Sequence, residues 1–192
     1  MSIAALLLFI RALGLTLPLW IVAGWSAAEA AIFFLVADIP ISWIAVRSGT
    51  KAALLAAVVA AFASILGGIA VFLWAGQDPG GPTATMAALP GIDRALIDQA
   101  AGAYHQGFPM MLAGSFSGVP FKLFTLEAAK QGEYGLLLVA PLLRLPRFLT
   151  VALVAGTISE LLARRISMKQ RLGLLAALWV AFYAFYFAVM PS

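Results

Sequence analysis

Residues 107–128, GFPMMLAGSFSGVPFKLFTLEA, have the length of a bilayer-crossing segment and the residues of a broken one. A spanning helix needs about 20 predominantly apolar residues. Here Gly114, Ser115, Ser117, Gly118 and Pro120 crowd the centre, and Lys122 follows directly. Proline removes a helical hydrogen bond, and glycine weakens a helix. Non-helical backbone at membrane depth must be covered by protein or line a polar cavity. The stretch is therefore either a re-entrant hairpin, entering and leaving on one side, or a kinked span. Residues 29–46 pose the same alternative, with Asp38 and Pro40 near their centre.

The rest of the chain places these stretches in a membrane. Of 192 residues, 64% are hydrophobic and 10% charged, with a mean hydropathy of +1.03. Soluble domains carry about 25% charged residues, so too few are present to cover a water-facing surface. The expectation is an all-α integral membrane protein forming one membrane domain over 1–192. Cysteine is absent, which excludes disulfides, thiol catalysis and cysteine-based metal sites. The net charge of +4 does not indicate nucleic acid, because the basic residues fall at the ends of apolar runs. Four unbroken runs read as spans: 2–25, 52–75, 136–163 and 172–190. The first resembles a signal peptide only superficially. It lacks a basic start, Arg11 interrupts it, and it exceeds a signal peptide's apolar region. Residues 77–105 are polar and read as an external loop, with an interfacial helix from Ile92 and His105 in solvent.

Charge favours hairpins over kinked spans. Arg164, Arg165, Lys169 and Arg171 cluster between the last two runs, and Arg47 and Lys51 flank the second. Placing both clusters in the cytoplasm leaves loop 77–105 and both termini outside. That layout works only if 29–46 and 107–128 are hairpins. The result is about four transmembrane helices plus two opposed re-entrant hairpins, an inverted-repeat arrangement typical of transporters.

Ionisable groups inside a membrane cost roughly 2.5–3.5 kcal/mol each on insertion scales. Eight fall in apolar segments: Arg11, Glu29, Asp38, Lys122, Glu127, Arg144, Arg147 and Glu160. Arg144 and Arg147 are three apart, on one helical face, and repel unless an anion or carboxylates lie between them. Arginine suits bidentate recognition of phosphate. Arg144, Arg147 and Lys122 are accordingly candidate lipid-phosphate ligands. Asp38, Glu127 and Glu29 are candidate ion-pair or proton-coupling groups, and Pro40, Gly118 and Pro120 candidate hairpin breakers. An ion-pair network that only docks the hairpins remains an equal alternative. The aromatic stretch Trp179, Phe182, Tyr183, Phe185, Tyr186, Phe187 reads as lipid contact and interfacial anchoring. Gly67 and Gly68 read as a close helix-packing surface.

These residues carry a resemblance. Pro120, Phe121, Lys122 and Thr125, followed by Arg144, Arg147 and Phe148, resemble the second half of the DedA family, also called the VTT-domain or SNARE-associated Golgi protein family. The match is to a small bacterial subgroup and covers roughly 29–165. Glu29, Phe33, Phe34, Asp38, Pro40 and the Ser64, Gly67, Gly68 face carry it more loosely in the first half. It departs at Val36 and Ser117, where related sequences often have a second proline, and no glycine follows the first hairpin acid.

The resemblance implies that the protein moves phospholipid or polyprenyl-phosphate lipid between leaflets as a flippase or scramblase, with proton coupling in some members. It also implies a bacterial cytoplasmic (inner) membrane. The expected partners are membrane lipids with anionic phosphate headgroups, together with a homo-oligomer and no nucleic acid. No cofactor or metal is expected. A non-transporting assembly or homeostasis factor is the alternative. A membrane enzyme acting on lipid phosphates is disfavoured, because GSFSG lacks the spacing of a nucleophile elbow.

Overall fold

A computed structural model describes residues 14–78 and 80–189 and contains helices but no strands among them. The helices are α1 (Thr16–Ala31), α2 (Asp38–Ser48), α3 (Thr50–Gln77), α4 (Gly81–Ala87), α5 (Arg94–His105), α6 (Phe108–Ser117), α7 (Phe121–Gln131), α8 (Gly135–Leu162) and α9 (Met168–Val189). Three of them, α3, α8 and α9, are long and apolar enough to cross a membrane. The expected spans 52–75, 136–163 and 172–190 fall on these three. The run 2–25 does not form a comparable described span. Residues 1–13, with Arg11, lie outside the described residues, and α1 begins only at Thr16. Its 16 residues rise about 24 Å, short of a hydrocarbon core about 30 Å thick.

Helix α3 is the axis on which α1, α2, α7 and α8 pack. Its sequence allows this because small residues recur along one face, among them Ala53, Ala57, Ala60, Ser64, Gly67 and Gly68. Small side chains let helix backbones approach closely, and apolar burial drives little association inside a lipid solvent. At Gly67 a Cβ would strike the Ala27 carbonyl oxygen and the Ala30 side chain of α1. Two turns nearer the start of α3, the buried Ser26 hydroxyl of α1 donates to the Ala60 carbonyl, 2.8 Å away.

Two breaks interrupt the shorter helices. The second falls within 107–128. Helix α6 ends at Gly118, whose φ of 98° is left-handed and suits a residue without a Cβ. Pro120 then adopts an extended conformation and caps the start of α7. The arms return to a common base, where Tyr104 donates to Glu133 and His105 lies 3.5 Å from Glu127.

The first break differs from the expectation. Asp38 and Pro40 do not interrupt a segment at 29–46. They form the first turn of α2, and the break is the preceding apolar stretch 32–37. Proline is tolerated in a first helical turn, where its missing N–H has no partner to lose. Aspartate there complements the helix dipole. The interrupted unit is therefore 16–48, with α1 and α2 as its arms. The two arms line one cleft that holds Trp25 and Ile39 near the bend, and Gly14 and Ser48 farthest from it.

Segment 77–105 is also more ordered than a loop. It contains α4 and α5, with Asp93 capping α5 by accepting from the Leu96 N–H at 2.8 Å. Met86 and Ile92 are buried in the core around Phe121, Phe124 and Leu143. At the opposite end of α3, the Thr50 hydroxyl donates to Glu160 of α8 at 2.7 Å. This contact gathers Arg47, Lys51, Arg164, Arg165 and Lys169, all exposed, at one end of the molecule.

Candidate functional site

The flanking helices satisfy part of the bend at 32–37: the Ile32 and Phe33 N–H groups donate to the Ala28 carbonyl, and the Val36 and Ala37 carbonyls accept from Ile39 and Ile41. Three tertiary hydrogen bonds serve other groups of it. The Trp25 indole N–H donates to the Leu35 carbonyl at 3.0 Å, and the Val36 N–H donates to the Tyr183 hydroxyl at 3.0 Å. Lys122 Nζ, in the first turn of α7, donates to the Phe33 carbonyl at 2.8 Å. That last bond joins the two breaks directly. The aromatic face of α9 therefore contacts the protein itself. Tyr183 holds the bend, and the Trp179 indole donates to the Ser42 hydroxyl of α2 at 3.1 Å.

Arg144 and Arg147 lie near the middle of α8 and face this junction. Pro141 precedes them and Pro146 lies between them, each removing one helical N–H donor. Arg144 donates from both terminal nitrogens to the two Glu29 oxygens, a bidentate pair buried on both sides. Its guanidinium carbon lies 5.4 Å from the Phe121 ring centroid and 4.7 Å from that of Phe148. Phe121 belongs to the core around α7, and Phe148 to the core around α1 and α2. Arg144 thus joins the two apolar halves through a charge. Cation–π contacts of this kind contribute up to about 2 kcal/mol when desolvated.

Arg147 is the more open of the two. Its side chain is 29% exposed, against 7% for Arg144. Nε and Nη2 donate to Asp38 Oδ2 at 3.1 and 2.5 Å, and Nη1 donates to the Ser115 carbonyl at 3.2 Å. One guanidinium therefore binds the first turn of α2 and the last turns of α6 together. Asp38 Oδ1 is buried and has no hydrogen-bond partner.

Of the expected site residues, Glu29, Asp38, Lys122, Arg144 and Arg147 gather here. Glu127 does not. It lies at the base of the second unit, accepting from Lys130 at 3.2 Å and Gln131 at 3.1 Å. It sits one and a half turns beyond Lys122 along α7, which carries it away from the arginines. His105 is exposed but faces Glu127 across 3.5 Å. At the same end, burial and the Glu133 carboxylate push the Tyr104 hydroxyl well above the usual phenol range. Pro40, Gly118 and Pro120 shape the two helix starts and the turn, without side-chain chemistry of their own. The Phe33 and Ser115 carbonyls carry no signal in sequence, because every residue has one.

A void of about 10 Å³ lies among Glu29, Ser115, Pro120, Phe121, Arg144 and Arg147. That is about the space of a single water molecule. In this arrangement carboxylates occupy the arginines, and no headgroup fits between them. Comparisons with protein-family models, curated proteins and solved structures find no match.

Proposed function

We propose that the chain is a DedA-like protein of the bacterial cytoplasmic membrane that moves a phosphate-bearing lipid between leaflets. The reading rests on one observation. Two arginines in the middle of a spanning helix are held by carboxylates from two arms of one broken segment, and Arg147 also holds the other segment. In this reading both broken segments are re-entrant. The α1–α2 unit enters from the basic, cytoplasmic end, and the α6–α7 unit from the opposite end.

The transport step exchanges anions. A lipid phosphate takes the place of Asp38 on Arg147, which suits it because guanidinium binds either oxyanion in the same fork geometry. Displaced from Arg147, Asp38 is stable in a dry site only if neutral. It therefore takes up a proton, for which the unpartnered Oδ1 is the available atom. The void admits no headgroup until the two bends separate, so the described arrangement corresponds to a closed state. Leaflet exchange of a fluorescent phosphatidylglycerol in reconstituted vesicles tests this. Asp38→Asn should uncouple exchange from a pH gradient, and Arg147→Lys should abolish it while the protein stays folded. Wild-type protein with no exchange above empty vesicles would end the reading.

A second reading has its own support. Two arginines already paired with carboxylates, and the single-water void, fit a permanent clamp in a non-transporting assembly or homeostasis factor. Under that reading, Arg147 substitutions lower only the folded yield, and transfer per folded molecule is unchanged at the background level.

A further inference from the structure

Helix α9 buries none of its residues, although two hydrogen bonds hold it to α2 and the adjoining bend. Between α2, α8 and α9 lies a cavity of about 380 Å³. This is within the roughly 300–1,000 Å³ range of pockets that bind small molecules. Its walls are aliphatic, with Val46, Val151, Ile158 and Leu175 prominent. Along α8 it extends from Leu162 to Thr150, a rise of about 18 Å. That is close to the depth of one leaflet, half of a core about 30 Å thick.

The chemistry changes at one end. Arg171 lines the cavity, and its Nη1 donates to the Ser159 carbonyl at 3.1 Å and hydroxyl at 2.7 Å. Its Nε is buried without a partner. The exposed cations Arg164, Arg165 and Lys169 lie at the same end. An apolar cavity does not hold water, and it binds apolar ligands of matching shape. At membrane depth the apolar species on hand is a lipid tail. The cationic mouth selects the headgroup, since basic clusters beside a membrane attract anionic lipid.

We propose that this cavity holds one acyl chain of an anionic phospholipid from the leaflet at the basic end, with a phosphate oxygen accepting from Arg171. The site is separate from the charged junction and does not depend on transport through it. The test uses the full chain in vesicles containing phosphatidylglycerol with a photoactivatable diazirine on its tail. Adducts at Leu175 and Val151, both partly buried, are mapped against adducts at Leu66, an exposed apolar residue of α3. Cavity adducts should exceed those at Leu66 by about tenfold, the ratio equivalent to one charge-assisted contact. Arg171→Gln should erase most of that excess. Leu175→Trp fills the cavity with every charge retained and should remove labelling at Val151, which keeps the test decisive if Arg171→Gln fails to fold. Labelling no greater than at Leu66, or unchanged in both variants, overturns the assignment. Ready disulfide formation between two copies of Leu175→Cys, with lipid labelling no greater than at Leu66, would give the cavity to a second copy of the chain and likewise overturn it.

Discussion

Exposure separates the two arginines more than sequence does. Arg144 and Glu29 form a buried bidentate pair between two phenylalanine rings, while Arg147 is partly open. Removing one partner of a buried pair leaves an uncompensated charge, at a cost of about 3–5 kcal/mol. Arg144→Ala should therefore cost that much in denaturant unfolding in detergent, and Arg147→Ala clearly less. The paired change Glu29→Leu with Arg144→Met should recover most of the loss, because apolar replacement of a whole buried pair is often neutral. A double variant as unstable as Arg144→Ala alone would contradict this account. The arginine face was legible, since two like charges on one apolar helix face require acidic partners. The identity of the partners was only partly legible. Glu29 reads as a boundary residue when a span is placed over 2–25, and becomes a junction residue once α1 extends to Ala31.

At the scale of elements, backbone proximity decides what a substitution does. Gly67 lies against α1 so closely that any side chain meets its backbone, whereas Gly76, in the same helix, has open space around it. Gly67→Val should destabilise by about 1–3 kcal/mol through overpacking. Gly76→Ala should stabilise by roughly 0.5–1 kcal/mol through reduced chain entropy. Thermal melts of the two variants under one detergent condition check the contrast, and equal shifts would refute it. The same scale explains why one break was readable and the other was not. At 118–120 the chain itself encodes the turn, with a glycine in the left-handed region and a proline that starts α7. At 32–37 the residues are Ile, Phe, Phe, Leu, Val and Ala, which carry no turn signal. That bend is held by Trp25, Lys122 and Tyr183, the last almost 150 positions away. Such long-range satisfaction of backbone groups cannot be read from local pattern.

For the whole molecule, the distribution of charge makes the sharpest prediction. The Thr50–Glu160 hydrogen bond places the start of α3 beside the end of α8. Two basic clusters that are distant in sequence are thereby brought to one end, while Asp78, Asp93 and Asp98 belong to the connection leaving the other end of α3. Two clusters with one location give the positive-inside bias a single sense, so that end should face the cytoplasm. The cysteine-free chain makes this directly measurable. Ser167 lies in the α8–α9 connection and Gln99 in α5, and both are exposed. In intact cells a membrane-impermeant maleimide should label Gln99→Cys and leave Ser167→Cys unlabelled until the membrane is opened. Each substitution is small and remote from the charged junction, so neither should disturb folding. The outcome also bears on the broken segments. The α1–α2 unit leads directly through Gly49 into the start of α3 at the basic end. The α6–α7 unit leads into the start of α8, whose far end meets Thr50. If Ser167 is internal and Gln99 external, α3 and α8 each cross once, and the α6–α7 arms between them must enter and return from the outer face. Labelling of both positions from outside would remove the opposed arrangement, and with it the alternating exchange of carboxylate and phosphate at Arg147.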